Sequence, residues 1–444
     1  MATPLKALTQ DDQACSQDQV KFQTGYGCWV YHDTGDNTGR PVKVWYYNPT
    51  KFSTQGGKVI FAMHSSDRNA KAVRAQWRSY ADLHGALILA PEFSREYYPK
   101  GRHYNRGNVR NSKGQIQPES DWTFNTIEEI FDLVRGVFPA APSQYSMQGH
   151  SAGGQFVHRM VMMSPDYRIE TAVAANSGWY LLPDQNYNYS CGVSNISQSQ
   201  QNLNKGYARK LVVALGTKDN DPNAKWLSHD SCAEMQGSHR YARGKFFYEY
   251  ARKDAANRGV PFNWKLVEVQ GAEHKSADML EAGADEILEP IYNDKAVILG
   301  VKQDATIKRS YPTRNYGQRT TLQIDGNSEK LTYMQFDLRS IGQIDAAILR
   351  VEVTDPSNGV QAIHEAGSEN WSEVTLTFNN QPGLKDLVTT IDGAAVGELN
   401  IDLTDFIRSK LGGMATLVLS SSDANGLYVK SKESGSPPAL VLYP

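Results

Sequence analysis

The sequence predicts an α/β domain, a mostly parallel sheet covered on both faces by helices, followed by an all-β sandwich or jelly roll. Three observations predict it. From Lys58 to Val269, apolar runs of strand length alternate with segments whose apolar residues recur every three or four positions. From about Lys295 that helical periodicity stops, and short alternating strands follow one another with Gly, Pro, Asn and Asp between them. The 444 residues also exceed what one core holds, since domains run to about 100–200 residues and α/β ones to roughly 250. The expected boundary gives one domain over 1–293 and a second over 294–444.

In chain order, Trp29–His32 and Val42–Tyr47 read as antiparallel strands joined by the turn-rich Asp33–Gly39. Strand 58–63 then leads to a helix over 69–84 with Val73, Trp77, Tyr80 and Leu83 on one face. Strand 86–90 leads to a long polar and aromatic loop, Pro91–Asp121. A helix over 123–137 places Phe124, Ile127, Ile130, Phe131, Val134 and Val137 at helical spacing. Strand 144–147, helix 155–162 and strand 171–179 follow, then an irregular segment, Tyr180–Tyr207. Strand 210–215, helix 244–257 and strand 264–269 complete the first domain. In the second, strands are expected over 296–301, 320–324, 332–336, 346–353, 360–364, 375–378, 397–403, 415–420, 426–430 and 439–443.

Composition excludes some partners. A net charge of −2, with 40% apolar and 21% charged residues, gives no global attraction to nucleic acid or membrane. Residues Met1–Lys6 carry no apolar core of signal-peptide length, and no run approaches the roughly 18 apolar residues of a span. The four cysteines, Cys15, Cys28, Cys191 and Cys232, all lie in polar, loop-like text of the first domain, whereas free thiols favour apolar surroundings. They read as disulfides, with Cys15–Cys28 and Cys191–Cys232 the most economical of three connectivities, and hence as signs of secretion.

The chemistry centres on Gly149-His150-Ser151-Ala152-Gly153, a G-x-S-x-G pattern between a strand and a helix. Such an elbow holds the serine at the end of the sheet in a strained turn. The following helix directs its first N–H, that of Ala152, at the oxygen that becomes negative in acyl transfer. A serine needs an orienting acid and a base, which in this fold class come later in the chain in the order Asp or Glu, then His. Strand 210–215 ends in Gly216-Thr217-Lys218-Asp219-Asn220-Asp221, giving Asp219 as the acid and Asp221 as its reserve. Strand 264–269 ends in Gly271-Ala272-Glu273-His274, giving His274 as the base. The loop after strand 58–63 supplies Ser66 as the second oxyanion donor. His64, Trp179 and Tyr180 are expected at the substrate cleft. Phe93, Tyr97, Tyr98, Tyr104, Trp122, Tyr187 and Tyr189 lie in the long loops, either lining that cleft or pinning the loops down. No cofactor or metal is called for.

Residues 25–290 resemble secreted α/β-hydrolase serine esterases, close to the poly(3-hydroxybutyrate) depolymerase-like and feruloyl esterase-like group. The resemblance rests on Met63-His64 with Arg68-Asn69, Ala90-Pro91-Glu92-Phe93, Tyr104-Asn105-Arg106-Gly107-Asn108, the elbow through Phe156, Gly178-Trp179-Tyr180, Gly216-Thr217-Lys218-Asp219 and Gly271-Ala272-Glu273-His274. The family's His-Gly after the oxyanion strand is His64-Ser65 here. Residues 295–444 resemble the DNRLRE family of extracellular β-domains, through Asp304-Ala305-Thr306-Ile307, Asn315-Tyr316-Gly317, Gln335-Phe336-Asp337-Leu338, Trp371-Ser372-Glu373, Asn380-Gln381-Pro382, Asp402-Leu403-Thr404 and Ser431-Lys432-Glu433. Some members look like alginate-binding modules.

Together these imply a secreted serine carboxylic-ester hydrolase acting on acetyl or feruloyl esters of a polysaccharide, with a polyester depolymerase (polyhydroxyalkanoate or PET-like) as the alternative and a non-catalytic polysaccharide-binding protein as a third. For the second domain, Lys302, Lys308, Arg309, Arg314 and Arg319, with Tyr311 and Tyr316, predict a basic face for an acidic polysaccharide. Lys and Arg that merely guard a strand edge would look the same.

Overall fold

The computed structural model describes Cys15 and residues 22–33, 39–50, 52, 57–139, 141–163, 166–288, 296–394, 396–422 and 424–443. It divides into two compact units, Met1–Glu289 and Pro290–Pro444. The expected boundary at 293/294 and most of the turn Asp33–Gly39 lie outside the described residues.

In the first unit, strands are β1 (Gly25–Asp33), β2 (Arg40–Asn48), β3 (Val59–Met63), β4 (Leu87–Glu92), β5 (Tyr145–His150), β6 (Ile169–Ala175), β7 (Lys210–Gly216) and β8 (Lys265–Val269). They form one sheet in the order β1-β2-β4-β3-β5-β6-β7-β8, antiparallel where β2 meets β1 and β4 and parallel from β4 onward. Successive residues of a strand point to opposite faces, and here each face has its own core. Phe61, Met63 and Leu89 pack with Ile127, Ile130 and Phe131 of α3 (Asn125–Val137), with Phe156 of α4 (Ala152–Met163) and with Phe247 of α7 (Arg240–Arg258). Ile60, Ala62 and Ile88 pack the other way, on Ala70 of α1 (Ala70–Gln76), Ala81 of α2 (Arg78–His84) and Ile287 of α8 (Leu280–Ile287). Strands buried on both sides read as unbroken apolar runs, which is why they were visible in the sequence.

The helix expected over 69–84 is two helices, interrupted at the buried Trp77. The segment expected to be irregular, Tyr180–Tyr207, contains α5 (Ser199–Tyr207), and α6 (Ser231–Gln236) precedes α7. Disulfides join Cys15 to Cys28 and Cys191 to Cys232. No described helix is long and apolar enough to cross a membrane.

The second unit packs two antiparallel sheets face to face. One has the order β10-β12-β17-β14-β15, from Gln303–Lys308, Lys330–Asp337, Met414–Ser421, Ser357–Ala366 and Leu384–Ala394. The other runs β11-β18-β13-β19-β9, from Thr321–Ile324, Leu427–Lys430, Ala346–Asp355, Ala439–Tyr443 and Val297–Gly300. The strand β16 (Gly397–Asp402) pairs with β13. Met334, Phe336, Leu417 and Leu419 of the first sheet meet Leu322, Leu349, Val351 and Val429 of the second. The strand expected over 375–378 is instead part of a loop. Its alternation is real, but Leu376 packs with Ala305, Tyr333 and Val418 on the outer face of the first sheet, while Thr377 and Asn380 cap a 3₁₀ turn over Phe378–Asn380.

Candidate functional site

The elbow is built by close approach. A Cβ on Gly149 would lie 2.3 Å from the Gly153 carbonyl carbon, and one on Gly153 would lie 2.4 Å from the Met63 carbonyl oxygen, so the start of α4 sits directly against the ends of β5 and β3. Between them Ser151 adopts φ +56°, a left-handed conformation that costs a non-glycine residue about 1–3 kcal/mol. The turn is held by the Ser151 N–H to the Ala175 carbonyl, 2.9 Å, and the Gln155 N–H to the Ser151 carbonyl, 3.0 Å.

Two loops then converge on the hydroxyl. Asp219 follows β7, and its N–H returns to the Gly216 carbonyl; the Lys218 N–H reaches the Ala272 carbonyl, which ties this turn to the one after β8 that carries His274. His274 Nδ1 lies 2.7 Å from Asp219 Oδ2, and His274 Nε2 lies 3.1 Å from Ser151 Oγ. The acid is buried and the imidazole partly exposed. Asp221 instead accepts from the Asn223 N–H and closes its own exposed turn.

Two neighbours were not foreseen. The Arg240 guanidinium, at the start of α7 and only 3% exposed, donates through Nη1 to Asp219 Oδ1 at 3.2 Å and through Nη2 to the Lys225 carbonyl at 3.2 Å. A buried carboxylate is costly unless paired, and Arg240 supplies the second partner. The His150 ring lies 4.6 Å from that of His274. Burial, helped by the nearby His274 and Arg240, pushes His150 down to about 3 and keeps it neutral. The sequence signal for Arg240 was only a basic residue ahead of a long helix, since the partner lies 21 residues upstream.

The expected cleft residues behave differently. His64 is fully buried, with Nδ1 on the Ser65 carbonyl and Nε2 accepting from the Phe93 N–H, and desolvation pushes it down to about 3. It fastens the turn after β3 to the chain at Phe93 and does not reach the surface. Tyr180 is also fully buried, stacked on Phe247 at 4.5 Å. Trp179, 6% exposed, lies under the guanidinia of Arg159 and Arg106, at 4.7 and 5.3 Å. Phe93, Tyr98, Tyr104, Trp122 and Tyr189 are buried and pin the loops, whereas Tyr97 and Tyr187 are exposed. Ala152 opens α4 beside Ser151. Ser66 lies in the exposed turn after β3, its carbonyl accepting from Arg95 Nη2 at 2.9 Å.

In the second unit the predicted basic set splits. Lys302 and Arg309 face Asp337 and Glu329, at 3.6 and 2.6 Å. Lys308 and Arg314 instead lie over the Tyr316 ring, at 4.7 and 5.4 Å. Burial first, then the charges of Lys330, Arg319 and Arg314, push Lys308 below its ordinary value. Tyr316, 8% exposed and covered by these cations, is not free to stack on a sugar ring, while Tyr311 is exposed. No group of histidine, cysteine and carboxylate side chains suited to a metal occurs among the described residues.

A mixed sheet with helices on both faces and a strained serine between strand and helix defines an α/β-hydrolase. Two solved enzymes share this unit. A poly(aspartic acid) hydrolase-1 from Sphingomonas sp. KT-1 is 36% identical, the match covering 60% of this chain and 99% of that one with a TM-score of 0.57. The poly(3-hydroxybutyrate) depolymerase LpqC from Bordetella parapertussis is 32% identical, covering 59% and 90% with a TM-score of 0.56. Residues 296–443 match carbohydrate-binding module family 96. No curated protein matches the chain in sequence. The chain belongs to the α/β-hydrolase family of these two enzymes, and it is an esterase- or depolymerase-type hydrolase carrying a carbohydrate-binding module. The module and the two disulfides are consistent with an extracellular location and a polymeric substrate.

Proposed function

We propose that this protein is a serine carboxylic-ester hydrolase that removes acetyl or feruloyl groups from a polysaccharide held by its carbohydrate-binding module. The observation that carries this reading is the continuous line from Ser151 Oγ through His274 to the buried Asp219. Ser151 Oγ attacks the ester carbonyl as His274 Nε2 takes its proton, and Asp219 holds the imidazole by Nδ1–H and balances the imidazolium. The N–H groups of Ala152 and Ser66 receive the oxyanion. His274 then protonates the departing sugar hydroxyl. Water, deprotonated by the same imidazole, attacks the acyl-enzyme and frees the acid.

The similarity to LpqC favours a second reading, a polyester depolymerase whose module holds an insoluble polymer. Hydrolysis rates on p-nitrophenyl acetate, methyl ferulate, acetylated polysaccharide and a polyhydroxybutyrate film separate the two. Ser151→Ala is expected to abolish turnover of every ester that is cut, and Asp219→Asn to lower kcat by about a thousandfold or more. Ser151→Ala turning over near the parent rate rejects the proposal, and damage from Asp221→Asn in place of Asp219→Asn moves the acid.

A further inference from the structure

Trp226 is the most exposed large apolar side chain among the described residues, at 85%. It also has φ +66°, which an L residue adopts only where its surroundings hold it there. Its loop is well fastened. The Ala224 N–H bonds the Asp221 carbonyl, the Leu227 N–H bonds the Ala224 carbonyl, and Leu227 is buried. The Lys225 carbonyl is held by Arg240, the same guanidinium that grips Asp219. One charged group therefore spaces the loop from the triad acid. The backbone that carries the exposed indole is thus tied, through Arg240, to the acid of the proposed active centre. The exposed Lys225 ammonium lies 5.3 Å from its ring and forms no ion pair among the described residues.

We infer that Lys225 and Trp226 form a substrate subsite that takes one carboxylated sugar ring of the polymer next to the ester being cut. The C–H face of the sugar lies on the indole, as aromatic side chains that pair an apolar face with a polar rim allow. The carboxylate lies on the ammonium, where charge-assisted bonding replaces the contact between Lys225 and the ring. This deepens the proposed function and rests on it for the identity of the nearby centre. It assigns acidic-sugar recognition to the catalytic unit itself, apart from the module.

The full chain labelled with 5-fluorotryptophan at its eight tryptophans tests this, the Trp226 resonance being assigned by its loss in Trp226→Phe. A uronic-acid tetrasaccharide is expected to shift that resonance saturably and cellotetraose to leave it in place. Lys225→Met should weaken the apparent Kd at least about fivefold. The same acidic tetrasaccharide should inhibit p-nitrophenyl acetate hydrolysis competitively. Trp226→Ala should raise its KI by about tenfold or more, while Trp226→Phe, which keeps a ring, holds it within about threefold. A resonance unmoved by the acidic oligomer, or moved equally by the neutral one, overturns the inference. A shift without inhibition also overturns it, because the loop then lies off the route to Ser151. Hydrolysis that survives in Ser151→Ala rejects the serine-hydrolase reading alone and leaves the resonance result to stand.

Discussion

Arg240 and Asp219 are both almost fully buried, and each is the other's counter-charge. Removing one partner of such a pair leaves a charge in a poorly solvated place, which costs about 3–5 kcal/mol. Arg240→Met is therefore expected to lower stability by a few kcal/mol and kcat by about ten- to a hundredfold, with KM for a small ester little changed, because the loss falls on the orientation of His274. Arg240→Lys should recover part of the stability and less of the rate, since an ammonium cannot reach Asp219 Oδ1 and the Lys225 carbonyl from one planar fork. Chemical denaturation and initial-rate kinetics check both; a variant as stable and as fast as the parent refutes the role. The placing of Ser151, Asp219 and His274 was legible because each follows a strand and strands end at one edge. Arg240 was not, because what makes it important is a partner that only the fold brings near. His64 and Tyr180 misled for the opposite reason. Polar or aromatic residues beside a motif look like cleft residues until burial shows both His64 nitrogens already occupied.

At the scale of the element, strands buried on both faces announced themselves and short polar helices did not. In α5 only Leu203 and Tyr207 carry an apolar helical spacing, too little to separate the segment from a loop. The loop over 375–378 imitated a strand because it lies flat on a sheet and must alternate as a strand does. The strand β10 makes its own prediction through Asp304, which is fully buried with Oδ2 accepting from the Lys432 N–H and Oδ1 without a partner. Burial raises it to about 7, and Glu433 and Glu373 push the same way while the Lys432 backbone N–H and ammonium oppose. The folded module therefore holds a proton that the unfolded chain gives up near pH 4. This contribution is full below about pH 4 and is lost as pH rises to about 7, by up to about 4 kcal/mol. Melting of the module is expected to fall over that window beyond what other groups cause. Asp304→Asn, which stays neutral, should flatten it. An unchanged slope in the variant assigns the effect elsewhere.

For the whole molecule, a formal charge of −2 says little, and what matters is where cations go unpaired. Lys302 and Arg309 are each matched by a carboxylate, whereas Lys308, which donates to Gln323 Oε1 at 2.8 Å, Arg314 and Arg319 form no ion pair among the described residues. The full chain is expected to bind a uronic-acid polymer more tightly than a neutral glucan, and to release it as sodium chloride rises from 0.05 to about 0.5 M, where the Debye length shrinks to a few ångströms. Lys308→Met with Arg314→Met should weaken binding by about tenfold, and Lys302→Met should change it little. Affinity electrophoresis in gels with each polymer measures this. Equal retention by both polymers, or retention indifferent to salt, removes the electrostatic account.

The backbone of Ser151 has a consequence for how such a chain evolves. At φ +56° glycine is the residue the fold itself prefers, by about 1 kcal/mol over one with a Cβ. On the proposed function, selection for hydrolysis is what holds serine there against that preference. In a lineage that kept the polymer-binding module and no longer needed the proposed chemistry, drift at this position is expected to run downhill toward glycine, stability rising as the proposed nucleophile is lost.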